Sequence, residues 1–243
     1  MQKHIATDTN ALTQLAADWM VAYIAGTLSA QDRFTIALSG GSTPKKLFQL
    51  LATPEYATKI EWSRLHFFWG DERFVPYSDE RNNAKMAYDT LLQQVPVKPE
   101  QVHIIPTDTD PQEAARRYEK ILHAYFDNTP HSFDLVMLGL GDNAHTLSLF
   151  PGYPEVILEE NRWVLAFFLT EQDMYRITLT APVVNQAAAV MYLVSGADKA
   201  EAVQQIIERP FEPLVYPAQM IQPVPGKLHW FLDEGAAGRL HKL

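Results

Sequence analysis

Short apolar runs that alternate with segments of helical period constrain this chain more than any other feature of its sequence. "RFTIAL", "LHFFW", "VHIIP", "FDLVMLGL", "RWVLAFF", "RITLT", "VMYLVS" and "LHWFL" read as strands. "TPKKLFQLLAT", "RNNAKMAYDTLL" and "PQEAARRYEKILHAYF" fall between the earlier ones, and "ADKAEAVQQIIE" separates the last two. Each of these reads as a helix. Thr43 stands at the N-cap position of the first, with Pro44 in its opening turn. Ahead of them all, "NALTQLAADWMVAYIAGTL" predicts a helix whose inward stripe runs through Leu12, Leu15, Trp19 and Val21 to Ile24. Such alternation predicts an α/β protein on a mostly parallel sheet with helices on both faces. No repeat or low-complexity tract breaks it, so residues 1–243 read as one domain. The proline-rich "RPFEPLVYPAQMIQPVPG" reads as a long irregular crossing and a pocket wall.

Composition narrows the function classes. A formal charge of −9 argues against a nucleic-acid binder, although a small anion held by a few local cations stays compatible with it. The absence of cysteine excludes disulfides and thiolate metal sites and fits a reducing compartment. No apolar run is long enough to span a bilayer, and "MQKHIATDTNALTQ" lacks the apolar core of a signal peptide. The expectation is a cytoplasmic enzyme with neither a membrane nor a nucleic-acid partner.

In parallel α/β sheets ligands bind beyond the carboxyl ends of the strands. Four such places carry chemistry. In "ALSGGSTPKKL" a strand runs through Gly40, Gly41, Ser42 and Thr43 into a helix start, the makings of a phosphate cradle. In "LHFFWGDERFVP" Asp71, Glu72 and Arg73 follow a strand; alone they read as a solvated turn, but Arg73 would clamp a phosphate or carboxylate. In "GLGDNAHTLSLFPG" Gly139 and Gly141 precede His145, placed where a general base is useful. No histidine or carboxylate stands at helical metal-site spacing from it, so no zinc is expected. Lastly, Arg176 opens "RITLT" and Lys199 follows Ser195-Gly196 at a helix start. Together the four describe one pocket for a phosphorylated small molecule undergoing acid–base chemistry.

"SGGSTP", "WGDERFVP", "GLGDNAHTLSLFPG", "RITLT", "VSGADKAEAV" and "PGKLHWFLDEGAA" resemble, in order and over nearly the whole chain, the 6-phosphogluconolactonase family. The resemblance implies a Rossmann-like fold, hydrolysis of 6-phosphoglucono-1,5-lactone in the pentose phosphate route, and neither metal nor organic cofactor. It implies that Gly40, Gly41, Ser42 and Thr43 cradle the 6-phosphate, with Arg176 and Lys199 as counter-charges and Arg73 near the phosphate or the sugar hydroxyls. It makes His145 the general base and the backbone N–H groups around Gly139 to Gly141 the oxyanion donors.

One position departs from the family. Two residues before the histidine the family usually carries Asp, commonly as Asp-Gly-His, whereas this chain reads Asn143-Ala144-His145. An amide can accept the imidazole N–H but brings no charge. In serine proteases the corresponding change lowers kcat by about 10⁴; a lactone, a better electrophile than an amide, predicts a smaller loss. Asp142 next door is a second source of charge. Ala144 is harmless if its backbone does not need positive φ. Two other readings stay open: an amino-sugar-phosphate isomerase or deaminase of the same fold, and a sugar-phosphate-binding protein whose catalytic pair has decayed.

Overall fold

The computed structural model describes residues 1–223 and 227–241. In chain order its strands are β1 (Gln2–Ala6), β2 (Phe34–Leu38), β3 (Leu65–Trp69), β4 (Asp71–Arg73), β5 (Leu135–Leu138), β6 (Val164–Leu169), β7 (Met174–Leu179), β8 (Ala189–Val194) and β9 (Lys227–Asp233). Six of them form a sheet in the spatial order β1-β9-β8-β5-β2-β3, every pair parallel. The α/β class expected from the alternation is the one observed. β2, β5 and β8 are buried throughout, which explains why they read as nearly unbroken apolar runs.

The remaining strands build something the alternation did not disclose: a separate antiparallel sheet in the order β4-β7-β6. "RWVLAFF" and "RITLT" are joined by a single tight turn, Thr170–Gln172, closed by Asp173 at φ 51°. That connection is too short for a parallel crossover, so the two segments can only pair as a hairpin. Gly70 links the sheets, donating its N–H to Leu38 O at 2.9 Å and accepting from Leu179 N at 2.8 Å.

Two further local expectations need correction. "VHIIP" is not a strand: Val102 makes one isolated bridge to Phe67, His103 N donates to Phe67 O at 2.8 Å, and Pro106 has no N–H with which to continue a ladder. β1 gave no strand signal, because its side chains are polar or only part-buried at the sheet edge.

The first helix, α1 (Thr9–Leu28), is capped by Asp8, which accepts from the N–H groups of Asn10 and Ala11. Its buried face is Leu12, Ala16, Met20 and Ile24 at intervals of four, whereas Leu15, Trp19 and Val21 lie at its edge. The alanines let it pack closely against α2 (Ser42–Leu51) and the sheet. The Pro-rich crossing is irregular apart from the turn Pro217–Met220, and its Val224, Pro225 and Gly226 lie outside the described residues, as do Lys242 and Leu243. Among the described residues no helix is long and apolar enough to cross a membrane.

Candidate active site

Past the end of β2 the chain enters the glycine pair, and α2 begins one residue before the expected cap. Gly41, not Thr43, is its N-cap, at φ 105° and ψ 174°, and no side chain caps the helix. Glycine reaches that φ without strain, which starts the helix at Ser42 and places Thr43 inside the first turn. The Thr43 hydroxyl turns instead to Ser195 Oγ, 3.4 Å away in the loop after β8. An uncapped helix start leaves N–H groups and the positive end of the helix dipole facing the cavity, an arrangement suited to an anion. Gly40 is required for a different reason: a Cβ there would run into the Asn83 side chain.

The charged triplet after Gly70 is not a solvated turn. As strand β4 it carries Asp71 and Glu72 into the interior, 6% and 0% exposed. Glu72 Oε1 accepts from Arg73 N at 2.9 Å and Asn83 N at 2.7 Å, and Oε2 accepts from Ala84 N at 2.9 Å. Burial pushes the Glu72 carboxyl up to about 7, against the pull of those three N–H donors. Asp71 Oδ2 accepts from Ser148 Oγ at 2.7 Å and from Arg176 Nη2 at 3.1 Å, while Arg176 Nε donates to Ser148 Oγ at 3.0 Å. Arg176 lines the cavity, as expected of a counter-charge, but it is 3% exposed and its charge is largely answered by Asp71. Burial lowers its pKa and Asp71 opposes that.

Two other cations face the same space. Arg73, opposite Arg176 in the β4–β7 register, donates through Nη1 to Arg81 O at 2.9 Å, and its buried Nε has no partner. Lys199 ends the turn Ala197–Lys199, with Asp198 at 3.4 Å.

His145 is presented by a tight loop after β5. Gly141 N donates to His145 O at 2.8 Å and Ala144 N to Gly141 O at 3.2 Å. The first bond removes Gly141 from the expected oxyanion donors, because its N–H is already spent closing the loop. Gly141 matters sterically: a Cβ there would strike the imidazole. Ala144 lies at φ 61° and Leu147 at φ 53°, so the condition under which Ala144 was harmless is not met. The loop is braced from outside by Ala218 N, which donates to Ala144 O at 3.1 Å.

Asn143 Oδ1 lies 2.5 Å from His145 Nδ1 and 3.3 Å from His145 N. An amide oxygen accepts only, so Nδ1 carries the proton and Nε2 keeps a lone pair. The ring stacks on Phe150 with centroids 4.1 Å apart. Asp142 makes no hydrogen bond to the ring, since its Oδ1 accepts from Asn143 N at 2.9 Å, but its charge still acts on the imidazole. Burial above all pushes the His145 pKa down to about 4; Asp71 and Asp142 pull it up, Arg176 and Lys199 push it down. At neutral pH the imidazole is therefore a neutral base.

A cavity of about 250 Å³ unites these pieces. Gly40, Gly41, Ser42, Thr43, Arg73, Gly139, Gly141, His145, Arg176 and Lys199 all line it, and Asn143 stands behind the imidazole. Asn83, Asp71 and Ser195 line it too, and sequence reasoning assigned them no place there. A signal for Asn83 existed: "RNN" puts two asparagines before a helix that needs one cap. Asn82 is that cap, accepting from Lys85 N at 2.8 Å, while Asn83 Nδ2 donates to Asp71 O at 2.9 Å beside Gly40. Among the described residues no three His, Asp or Glu side chains converge as metal ligands.

Comparison with known proteins bears on what such a cavity serves. The family model for glucosamine-6-phosphate isomerases/6-phosphogluconolactonase matches residues 7–230. A 6-phosphogluconolactonase of Nostoc sp. is 38% identical over 240 residues, covering 97% of each chain. One of Haemophilus influenzae is 40% identical over 201 residues, 83% of this chain and 85% of that one. The crystal structure of devB protein superposes with a TM-score of 0.89 at 36% identity, across 98% of this chain and 99% of that one.

Proposed function

This chain belongs to the family of glucosamine-6-phosphate isomerases and 6-phosphogluconolactonases, and from that premise we propose that it hydrolyses 6-phosphoglucono-1,5-lactone to 6-phosphogluconate in the pentose phosphate pathway. One observation carries the reading: a neutral imidazole, its Nδ1–H held by Asn143, shares a cavity with an uncapped helix start and the cationic side chains of Arg73 and Lys199. The helix start at Gly41–Thr43, with Lys199, takes the 6-phosphate. The lactone ring then lies towards His145.

His145 Nε2 takes a proton from water as the water oxygen bonds to the lactone carbonyl carbon. Negative charge gathers on the carbonyl oxygen, and we assign its stabilisation to the Gly139 backbone and the Arg73 guanidinium. When the tetrahedral intermediate collapses, the bond from that carbon to the ring oxygen breaks. The imidazolium returns its proton to the ring oxygen, and the new carboxylic acid loses its own to solvent. Asn143 orients the imidazole throughout but does not offset its charge.

The test is the rate of lactone opening by purified protein, with substrate generated in situ and spontaneous hydrolysis subtracted. A rate well above background that disappears in His145→Ala supports the assignment. Binding of 6-phosphogluconate with no rate would instead favour the reading in which Asn143 marks a decayed catalytic pair.

A further inference from the structure

The segment Asp233-Glu234-Gly235 lines no part of the catalytic cavity, yet it grips the loop that carries Lys199. β9 runs beside β8 with Leu232 opposite Val194, so Asp233 emerges where β8 gives way to Ser195, Gly196 and the turn Ala197–Lys199. Asp233 is 4% exposed. Its Oδ1 and Oδ2 both accept from Gly196 N at 3.0 Å. Oδ1 also accepts from Ala236 N at 2.8 Å, and Oδ2 from Thr9 Oγ1 at 3.2 Å. One carboxylate thus caps the turn Glu234–Ala237, ties in the start of α1 and anchors Gly196.

Gly196 needs that anchor. It stands at φ 103°, and a glycine selects no conformation by itself, so the turn it opens must be fixed from outside. Gly196 O accepts from Lys199 N at 3.1 Å, which closes the turn presenting Lys199 on the anchored residue. Gly235 presses on the same turn: a Cβ there would lie 3.0 Å from Ala197 N and 3.3 Å from Gly196 C. Ser195, one residue earlier, reaches the Thr43 hydroxyl in the cradle. Loss of the acceptor at Asp233 would loosen Ser195 and Lys199 together, and would leave the His145 loop, which follows β5, in place.

We propose that Asp233 is a positioning residue for substrate binding: through Gly196 it fixes the turn that presents Lys199 to the phosphate. The role rests on the assignment of Lys199 to the 6-phosphate. It makes the C-terminal segment part of the anion site without any contact to the anion.

6-Phosphogluconate is titrated calorimetrically into the full chain and its variants. Asp233→Ala should raise its Kd about tenfold, the order of a lost buried hydrogen bond. Asp233→Asn keeps an acceptor for Gly196 N and Ala236 N, and its NH2 can donate to Thr9 Oγ1, so its Kd should stay within about threefold of the original. In a Lys199→Ala background Asp233→Ala should add less than about twofold, because it acts through that turn. Gly235→Ala pushes on Ala197 without removing the carboxylate. It should weaken binding in the same direction, which keeps the test valid should Asp233→Ala fold poorly. Undiminished affinity in whichever of the two folds, or full additivity with Lys199→Ala, overturns the role. Undiminished affinity in Lys199→Ala alone would remove the phosphate assignment and this role with it. In turnover the loss should appear in KM, and a fall in kcat at constant KM would place Asp233 in service of the reacting centre instead. Binding is read without lactone turnover, so this role and the proposed activity can fail separately.

Discussion

The cradle and the histidine loop stand in one cavity but are built on opposite principles. At the cradle the difficult conformation falls on a glycine: Gly41 takes φ 105° freely, and the anion is offered backbone groups that need no particular side chain. At the histidine loop the difficult conformations fall on residues with a Cβ, Ala144 at φ 61° and Leu147 at φ 53°, and the chemistry rests on side chains. A site made of backbone tolerates sequence drift, provided its glycines stay. A site made of side chains depends on each of them, and here Asn143, which holds the ring, and Ala144, at positive φ, lie within two residues of His145. Binding and turnover should therefore respond separately to substitution.

The largest expected effect is on turnover alone. His145→Ala should lower kcat by roughly 10² to 10⁴, the usual worth of a positioned general base. The affinity for 6-phosphogluconate should stay within a few-fold, because the cradle makes no use of the ring. Parallel rate and calorimetric measurements check this, and equal losses in both would join the two regions into one unit.

The converse substitution is Gly41→Ala. A Cβ there meets nothing closer than Pro44 Cδ at 4.0 Å, so space is not the obstacle; φ 105° is. Strain of about 1–3 kcal/mol corresponds to a rise in KM of roughly 5- to 150-fold, with kcat little changed. A fall in kcat at constant KM would show that the cradle also aligns the lactone for attack.

Much of this contrast was legible beforehand, and the rest was hidden for identifiable reasons. Gly40, Gly41 and His145 announce themselves because strand, turn and helix start are local patterns. The roles of Asp71 and Glu72 were not legible, since a run of three charges looks solvated until β4 is seen to pair with β7 between buried layers. Arg176 was found as a cation but not as half of an ion pair, because its partner lies 105 residues away. Asn83 was missed because its contact with Asp71, 12 residues away in sequence, leaves no local pattern. The positive φ of Ala144 has no local signal, because alanine carries a Cβ that disfavours the left-handed region.

Asn143→Asp should sharpen the comparison through pH. In the proposed mechanism His145 acts unprotonated, so kcat/KM should hold above its pKa and fall as pH drops through about 4. A carboxylate two residues before the ring would favour the imidazolium and raise that pKa. The acid limb should therefore move to higher pH, with kcat near pH 7 equal or raised, as a pH–rate profile would report. A large fall in kcat at neutral pH would mean that the amide does something for which a carboxylate cannot substitute.

The smallest expected effect is on stability. Holding Ala144 in the left-handed region costs about 1–2 kcal/mol relative to glycine. Ala144→Gly relieves that strain but also frees the unfolded chain, which offsets about 0.4–1 kcal/mol of the gain. The net should be stabilisation of up to about 1.6 kcal/mol, read as a small rise in the denaturant midpoint at unchanged slope. The bond from Ala218 N to Ala144 O should survive, because it uses only backbone. If the variant were instead less stable by more than about 1 kcal/mol, the buried Ala144 methyl would have to contribute packing that exceeds the strain. The loop would then be held by its side chains as much as by its hydrogen bonds, and the contrast with the cradle would be sharper still.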